Sequence, residues 1–442
     1  MLSQQEAKSI IDRVLGYSKL PGCELNIQWT EDDFIRFANN GITTSGYRIT
    51  QQVSITSTTA DRRSGNAVVS ELTDEALRKG VQQAEGLAAI SRPDPESMPA
   101  LPAQKYPVLH NFDALTASAR GDVMIPHVQA VIASALDKKL TAAGYIQRSS
   151  NAVAVGNKAG LFGYHTYTDS SLSHTVRNAA GTSSGWASQS SVSLKDLNGE
   201  AAARISTEKC IRGVNRKTLA PGKYTVILEP AAVGDLVGWL GFAFGARDAE
   251  QGQSFLSKKG GGTRLGEQMF PEFITLRSDP FDPKLASTPW DQSLLPNERI
   301  AWIEKGVVKN LVYDRFWASK AKIKPTPAAG NLVLDGQENS VDDLIRSVER
   351  GLLITRLCYI RVVQPQTWQL TGLSRDGVFL VEKGKVTDPV TNFRWNESPA
   401  EVLQRTTKLS RPVRVTGDET GSQMAPALVT SDFNFASVSD AV

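Results

Sequence analysis

The first hundred residues alternate between helical and strand-like hydrophobic periods. Apolar side chains three and four positions apart over residues 10–15 predict an amphipathic N-terminal helix. The pattern then changes to period two, which is typical of half-buried strands, and Asn39-Asn40-Gly41 is a turn signal because these residues tolerate a positive φ. Thr73 predicts the N-cap of a second helix over residues 73–90. The predicted strands are residues 24–29, 34–38, 47–59 and 66–71, with Asp32-Asp33 in a turn between the first two.

Prolines and glycines divide the chain into three regions. Five prolines within residues 91–107 exclude a regular element there, and Pro221-Gly222 ends a short joint before the last region. The central region predicts a helix over 113–138, which Pro126 is expected to kink or break, then three or four antiparallel strands and a helix over 198–212. The last region predicts an apolar helix over 231–244 and many short strands. We therefore predict an α+β fold with an N-terminal α/β domain (1–105), a central helix-plus-antiparallel-sheet region (106–218) and a C-terminal β-rich domain (219–442).

Composition and charge exclude several classes of protein. Hydrophobic residues make up 40% and charged residues 21% of the 442 residues, which excludes a disordered chain. A net charge of +3 gives no overall field that would attract nucleic acid or an anionic membrane. The N-terminus lacks a secretory signal pattern, and the longest apolar run, 233–246, is shorter than the ~20 residues of a membrane span. Three widely spaced cysteines favour a reducing compartment, so we expect a cytoplasmic protein without a direct nucleic-acid or membrane partner.

Local motifs do not reveal an active site. Residues 181–185 match G-x-S-x-G, but all four histidines precede Ser183, whereas a nucleophile elbow requires a later histidine. The histidines also lack the spacing of a helical zinc pair. His165 and His174 flank an aromatic strand and could meet across a hairpin, although each is more typical of a satisfied core or surface histidine. The glycine-rich residues 258–263 fit no phosphate-binding spacing and predict a loop near a cavity.

Eight segments of the chain, taken in order, carry a family resemblance: residues 36–43, 254–256, 266–270, 303–306, 311–315, 330–334, 371–379 and 381–386. Together they resemble the TldD/PmbA family. The resemblance implies an N-terminal α/β region, a C-terminal β-rich, barrel-like, mixed region, and dimers that enclose a cavity between subunits. One branch, TldD, is a zinc metalloprotease with H-E-x-x-x-H on a helix and a later cysteine ligand. The other branch, TldE or PmbA, lacks these ligands and partners TldD; the pair cuts unfolded and precursor peptides, and an older description is modulator of DNA gyrase.

The residues at the zinc-motif positions indicate the second branch. Aligned by hand, Gly238 and Ala243 stand where the two histidines would be, Trp239 stands where the glutamate would be, and the cysteine position falls near Thr416. Gly, Ala and Thr offer no donor comparable to imidazole or thiolate, and without the glutamate there is no general base for a zinc-bound water. The resemblance therefore implies no catalytic residue, metal or cofactor in this chain, and zinc in a TldD-type partner.

The leading hypothesis is a non-catalytic TldE/PmbA-like subunit of a heterodimeric TldD/TldE-type zinc metalloprotease that acts on unfolded or precursor peptides. The candidate residues lining its substrate cavity are Phe255, Arg264, Arg375 and Asp376, which lie within matched segments. Two alternatives stay open: a stand-alone homodimeric binding or scaffold protein without protease activity, and a hydrolase with relocated chemistry. Residues 357–370 match the family less well than their flanks, which leaves room for a different substrate.

Overall fold

The N-terminal half of the chain forms one six-stranded antiparallel sheet. The computed structural model describes residues 1–328, 330–417 and 420–439. The elements of this half are α1 (Gln4–Tyr17), β1 (Gly22–Ala38), β2 (Gly41–Thr58), β3 (Ser64–Val69), α2 (Asp74–Ile90), α3 (Ala114–Ser118), α4 (Gly121–Asp137), β4 (Thr141–Asn157), β5 (Phe162–Arg177), β6 (Ser184–Ser191) and α5 (Gly199–Arg212). The strand order β3-β2-β1-β4-β5-β6 joins two three-stranded meanders through the pairing of β1 with β4.

The pairing of β1 with β4 places strands from both N-terminal regions in the same sheet. It runs from Glu24 opposite Asn157 to Phe37 opposite Gly144. The regions 1–105 and 106–218 therefore share this sheet, and their status as separate domains stays a prediction.

A single strand, β1, replaces the two predicted strands at 24–29 and 34–38. The predicted turn at Asp32-Asp33 is wrong, because both residues continue the ladder to β2 and β4. The Asp32 carboxylate accepts hydrogen bonds from Arg48 at 2.5 Å and from Ser149 at 2.7 Å, which neutralises a charge that otherwise disfavours a strand. The predicted turn at Asn39-Asn40 is confirmed, since both residues have a positive φ.

All of the helices that pack on this sheet cover the same face. Leu25 and Ile27 of β1 pack with α1 and α2, whereas Ile35 and Phe37 pack with α4 and α5. These four residues have the same parity along an uninterrupted strand, so they point to one side of the sheet. The polar residues between them point to the other side, where the C-terminal half lies.

The helical segment of residues 113–138 is interrupted at Ala119 and Arg120, and the expectation of a break at Pro126 is wrong. The buried guanidinium of Arg148 stabilises this interruption, because its Nε donates a hydrogen bond to the Ala119 carbonyl at 2.9 Å. Because α4 begins only at Gly121, Pro126 lies in its second turn and removes one backbone hydrogen bond.

The C-terminal half contains a closed five-stranded barrel. Its elements are β7 (Gly222–Leu228), α6 (Pro230–Gly241), α7 (Ala246–Glu250), β8 (Leu276–Ser278), β9 (Ile300–Glu304), β10 (Val307–Val308), α8 (Arg315–Ala321), β11 (Leu332–Leu334), α9 (Val341–Arg346), β12 (Arg350–Gln364), β13 (Gln369–Glu382), β14 (Lys385–Val390), β15 (Phe393–Glu397), α10 (Pro399–Gln404), β16 (Thr406–Leu409), β17 (Val413–Gly417), β18 (Gly421–Ala425) and β19 (Leu428–Val438). The ring of pairings runs β12-β7-β19-β15-β13 and returns to β12, with only β12–β7 parallel. The predicted α+β fold with a barrel-like C-terminal region is confirmed.

Helix α6 lies between the barrel and a second, mixed sheet. That sheet has the order β10-β9-β8-β11-β18-β17, in which β11 and β18 are parallel. Val233, Leu236, Val237 and Leu240 of α6 belong to the largest hydrophobic core of the chain. The helix thus has a fixed position at the centre of the C-terminal half.

The described residues carry no feature of a membrane-spanning helix and no paired cysteines. None of the helices in this part of the chain is long and apolar enough to cross a membrane. Cys23, Cys210 and Cys358 are all buried free thiols.

Candidate functional site

Helix α6 carries two of the three zinc-motif positions, Gly238 and Trp239, and packs directly against the β17–β18 hairpin. A Cβ atom at Gly238 would lie 2.3 Å from Thr420 Oγ1 and 2.9 Å from Gln423 Nε2. A Cβ atom at Gly234, on the preceding turn, would lie 2.3 Å from Val415 Cγ2. Real Cβ atoms do not approach their neighbours so closely, so the helix requires glycine on this face. The hairpin fills the space that a histidine at 238 would need.

The contact between α6 and the hairpin contains buried polar side chains, but they do not make a zinc site. Gln423 is 3% exposed, and its amide donates to the Thr420 carbonyl at 2.7 Å. The buried Asp235 carboxylate lies against Gly417, whose Cβ would be 2.6 Å from Oδ1. One carboxylate beside an amide and a hydroxyl is not the set of Cys, His and carboxylate ligands that zinc selects. Across residues 1–328, 330–417 and 420–439, no three His, Cys, Asp or Glu side chains are grouped to hold a metal ion.

Thr416, near the predicted cysteine position, anchors the hairpin to the N-terminal sheet. Its hydroxyl hydrogen-bonds to Ser190 of β6 and to Ser422, both at 3.1 Å. Two residues earlier, Arg414 donates to the Asp169 carboxylate of β5. Burial raises the pKa of Asp169, and the Arg414 guanidinium opposes that shift. The hairpin that covers Gly238 is therefore held in place by the other half of the molecule.

Of the remaining motif positions, Trp239 lies in the last turn of α6, and Ala243 follows two residues after the helix ends. The backbone of each contacts a neighbouring loop. The Trp239 carbonyl accepts a hydrogen bond from Trp368 Nε1 at 2.9 Å. Trp368 lies in the β12–β13 connection, within the segment 357–370 that matches the family less well. The Ala243 carbonyl accepts from Ser254 Oγ at 3.4 Å, which joins the end of α6 to the loop containing Phe255. Neither residue offers a side chain for acid–base chemistry.

A cleft of about 620 Å³ lies between the end of α6 and the polar face of the N-terminal sheet. Its sheet side carries Asn26, Gln28 and Thr30 from β1 and Asn151 from β4. Its opposite side carries aromatic and amide groups, including Trp290, Gln292, Asn331 and the 65% exposed Phe242. The charged lining residue Asp291 already accepts backbone N–H groups of Ser293, Leu295 and Ala328. The cleft is therefore polar and partly aromatic, and Asp291 is the one charged residue among the described residues of its lining.

The hydrophobic pattern alone does not predict this cleft, although the sequence contains a signal for it. The residues Asn26, Gln28 and Thr30 alternate with the buried residues of β1, and none of the three carries a charge. A strand face of amides and hydroxyls is unusual for a solvent-facing surface, which usually carries Lys and Glu.

The C-terminal half matches a family model. Residues 221–437 match the model of the PmbA/TldA metallopeptidase C-terminal domain. Over 390 residues, the chain is 24% identical to the metalloprotease PmbA of Escherichia coli O157:H7, with 85% of this chain and 82% of that protein covered. The chain belongs to the TldD/PmbA family. The resemblance inferred from its motifs is thereby confirmed.

Solved structures support the same fold over the whole chain. TldE from Thermococcus kodakarensis superposes with a TM-score of 0.84 at 19% identity, covering 97% of this chain and 99% of that one. A Thermotoga maritima protein described as a candidate modulator of a DNA gyrase superposes with a TM-score of 0.82 at 19% identity, covering 97% of this chain and all of that one. At these identities the likeness concerns the fold of the TldD/PmbA family and not an activity.

The four candidate cavity residues fall into two pairs on different elements. Phe255 packs edge-on against Phe244, with ring centroids 6.4 Å apart. Arg264 lies on the same loop, since its N–H donates to the Leu256 carbonyl at 2.7 Å, and its side chain pairs with Glu267 at 3.1 Å. Arg375 and Asp376 lie on strand β13 of the barrel. The contacts of the described residues do not join the two pairs, and their role in lining a substrate cavity stays a prediction.

Asp376 lies in the interior, where it joins the barrel to the N-terminal sheet. It is 1% exposed in this chain. Its carboxylate accepts two hydrogen bonds from Arg356, at 2.6 and 2.8 Å, and one from Ser184 of β6 at 2.8 Å. The Arg356 guanidinium also lies 4.7 Å from the Trp186 ring centroid. The position of Asp376 therefore favours a positioning role over contact with a substrate.

The histidines His165 and His174 do not meet, because they lie on opposite faces of β5. His165 Nε2 hydrogen-bonds to Asn111 Oδ1 at 2.9 Å, and His174 Nε2 hydrogen-bonds to Ser206 Oγ at 2.8 Å. Burial lowers the pKa of each to about 4. Both therefore act as neutral core residues.

These buried histidines predict a loss of stability in mild acid. Because their folded pKa of about 4 lies below the unfolded value of about 6.5, their stabilising contribution is complete above pH 6.5 and is lost as the pH falls toward 4. We expect the free energy of unfolding to be about 4 kcal/mol lower at pH 5 than at pH 7.5, about 2 kcal/mol from each histidine. Urea unfolding at a series of pH values measures the free energy of unfolding as a function of pH. His165→Gln should remove about half of its decrease between pH 7.5 and pH 5. If the free energy of unfolding depends on pH as in the wild type in both single variants, His165→Gln and His174→Gln, then these histidines are not the cause of the acid sensitivity.

Proposed function

We propose that this chain is the non-catalytic TldE/PmbA-type subunit of a cytoplasmic, heterodimeric TldD/TldE-type zinc metalloprotease. In this proposal a TldD-type subunit carries the zinc ion, and the two chains together process unfolded or precursor peptides. The observation that carries the proposal is the packing at Gly238, where Thr420 and Gln423 occupy the space of the first motif histidine. The names of the relatives also support it, since one is a metalloprotease PmbA and another is a TldE.

The polar, partly aromatic cleft supports a role in holding peptide. Side-chain amides such as those of Asn26 and Gln28 can both donate to and accept from a peptide backbone. Aromatic rings such as Trp290 add apolar contact without selecting for charge. Asn26 Oδ1 is buried and has no hydrogen-bond partner among the described residues, so an incoming N–H group would satisfy it. These features fit an extended peptide of varied sequence better than a charged small molecule.

A reconstitution experiment tests the proposal. The chain is purified from its own host, and its partner mass and bound metal are read together by native mass spectrometry. We expect a complex with a TldD-type chain and zinc, which cleaves an unfolded peptide, whereas the isolated chain with added zinc does not. Cleavage by the isolated chain would instead indicate a hydrolase with relocated chemistry, whose catalytic residues lie elsewhere than at the zinc-motif positions. A zinc-free homodimer that ignores the TldD-type chain would instead support a scaffold protein.

The cleft makes a separate prediction about peptide binding. Asn26→Ala should weaken binding of a fluorescently labelled unfolded peptide to the isolated chain by about 5-fold to 10-fold, because one hydrogen bond of about 1 kcal/mol is lost. Fluorescence anisotropy measures the dissociation constant. Gln83→Ala, on the exposed side of α2, is the matched control and should bind as the wild type does. Equal binding by both variants would remove Asn26 from the peptide site.

A further inference from the structure

Phe242 has the most exposed aromatic side chain of the residues that the structure describes. Its ring is 65% exposed, ahead of Tyr359 at 62%, and it lies on the α6 side of the cleft. An exposed ring forgoes the favourable free energy that its burial would give. Inside a cleft, such a ring is typical of a surface that a ligand covers. Phe242 is therefore a candidate contact for a ligand of the cleft.

The ring of Phe242 is held in a fixed position just after the end of α6. The Trp239 carbonyl accepts hydrogen bonds from the Phe242 N–H at 3.3 Å and from Trp368 Nε1 at 2.9 Å. The Trp239 and Phe242 rings meet edge to face, with centroids 5.9 Å apart and planes at 67°. Such a pair leaves at least one face of the Phe242 ring free. A ring fixed in this way loses little conformational entropy when a ligand covers its free face.

Within the part of the chain that the structure describes, Phe242 has no charged partner. The exposed ring of Tyr47, by contrast, lies under the Arg120 guanidinium at 4.7 Å. None of the lysine or arginine contacts with aromatic rings among these residues involves Phe242. The one charged residue of the described lining, Asp291, already accepts three backbone N–H groups. The cleft therefore favours an uncharged group against the free face of Phe242.

An extended peptide in the cleft would present side chains to this ring. The amides of Asn26 and Gln28 on the sheet side can pair with its backbone. Successive side chains of an extended peptide point in opposite directions, so every second one points away from the sheet, toward the wall that carries Phe242. An aromatic side chain gains most there, because it adds an offset or edge-to-face ring contact to its apolar burial.

We propose that Phe242 forms a subsite of the cleft that binds an aromatic side chain of the peptide, and that Trp368 is its positioning residue. The inference rests on the proposed function and deepens it, because it names the kind of peptide that the chain selects. Trp368 lies in the segment 357–370 that matches the family less well than its flanks. The support of the subsite thus comes from a part of the chain in which it departs from its relatives.

Fluorescence anisotropy on the full-length chain tests the subsite. The probes are labelled unfolded peptides of Gly, Ser and Asn with one central Phe, Ala or Lys. The wild type should bind the Phe peptide about 10-fold more tightly than the Ala peptide, and the Lys peptide no more tightly than the Ala peptide. Phe242→Ala should remove this preference, and Phe242→Leu, which keeps apolar volume, should leave a preference of about 3-fold.

The matched control is Phe112→Ala. Phe112 is 40% exposed and lies outside the described lining of the cleft, so this variant should keep the preference of the wild type. Circular dichroism checks that all variants are folded.

Trp368→Phe tests the positioning role. It keeps an aromatic ring but loses the N–H group that the Trp239 carbonyl accepts. The preference for the Phe peptide should fall about 3-fold, whereas the affinity for the Ala peptide should stay unchanged. A purely structural loss would weaken both peptides equally, and an unchanged preference would overturn the role of Trp368.

Three results would overturn the subsite. They are equal binding of the Phe and Ala peptides by the wild type, tightest binding of the Lys peptide, and a preference that survives Phe242→Ala. If the chain activates a TldD-type subunit but shows no aromatic preference, the proposed function stands and only the subsite is wrong. If the preference is present and depends on Phe242 but the TldD-type subunit is not activated, the subsite stands and the proposed function fails.

Discussion

Gly238→Ala is expected to lower the free energy of unfolding by about 2 kcal/mol, because its new Cβ atom would lie 2.3 Å from Thr420 Oγ1. Urea unfolding monitored by tryptophan fluorescence measures the change. The matched control is Gly86→Ala in α2, where nothing lies within 4 Å of the position of a Cβ. That variant should stabilise the protein by about 0.5–1 kcal/mol, because alanine is the better helix former. Effects of the same sign in both variants would mean that α6 and the hairpin are not in direct contact.

The same packing bears on attempts to restore a metal site. The triple variant Gly238→His/Trp239→Glu/Ala243→His rebuilds the H-E-x-x-x-H spacing, but its first histidine has no room beside the hairpin. We expect this variant to lose stability and to bind zinc only substoichiometrically, as measured by metal analysis after dialysis. Thr420→Gly should recover part of the stability in the Gly238→Ala background, since it removes both Thr420 atoms that the new Cβ would meet.

Asp376→Ala is expected to destabilise the protein by about 3–5 kcal/mol, because it removes the buried carboxylate that Arg356 and Ser184 share. Asp376 also has a φ of 56°, and alanine tolerates this left-handed conformation less well. Asp376→Asn keeps the shape and tolerates that φ, so it isolates the loss of charge and should fall between the wild type and Asp376→Ala.

The control for Asp376 is an exposed ion pair. Asp137 lies 2.8 Å from Lys138 at the end of α4, and both side chains are more than half exposed. Asp137→Ala should change the free energy of unfolding by less than about 1 kcal/mol. Hydrogen exchange should also show earlier opening of β6 and β13 in Asp376→Ala. A stability equal to that of Asp137→Ala would show that Asp376 does not join the two halves.

Elements with local signals could be predicted from the sequence. Thr73 caps α2, and Asn39-Asn40 forms the predicted turn, because capping and a positive φ depend on neighbouring residues. The turn predicted at Asp32-Asp33 is wrong because the Arg48 guanidinium that neutralises Asp32 lies 16 residues further along the chain. The local pattern, with Ser340 as a cap and Gly351 as a stop, predicts a helix through Arg350, but α9 ends at Arg346 because Arg350 already belongs to β12. Non-local pairing overrides the local pattern at both places.

Only part of the candidate site can be predicted from the sequence. The missing ligands at 238 and 243 are visible in the residue types alone. Thr420 and Gln423 fill the place of the first ligand because a helix and a hairpin about 180 residues apart pack together. No local sequence pattern predicts this contact. The interior position of Asp376 likewise depends on Ser184, from the other half of the chain.

The closed barrel has a consequence for the order in which the chain becomes ordered during synthesis. All six strands of the N-terminal sheet are available once residue 191 has left the ribosome, and each pairs within this half. Strand β7 needs both β12 and β19 as neighbours, and β19 begins only at Leu428. The apolar residues of α6 therefore stay incompletely covered until about 200 further residues, including the last barrel strand, have been synthesised. We expect nascent chains of intermediate length to hold a finished N-terminal sheet beside an unfinished, chaperone-dependent C-terminal half.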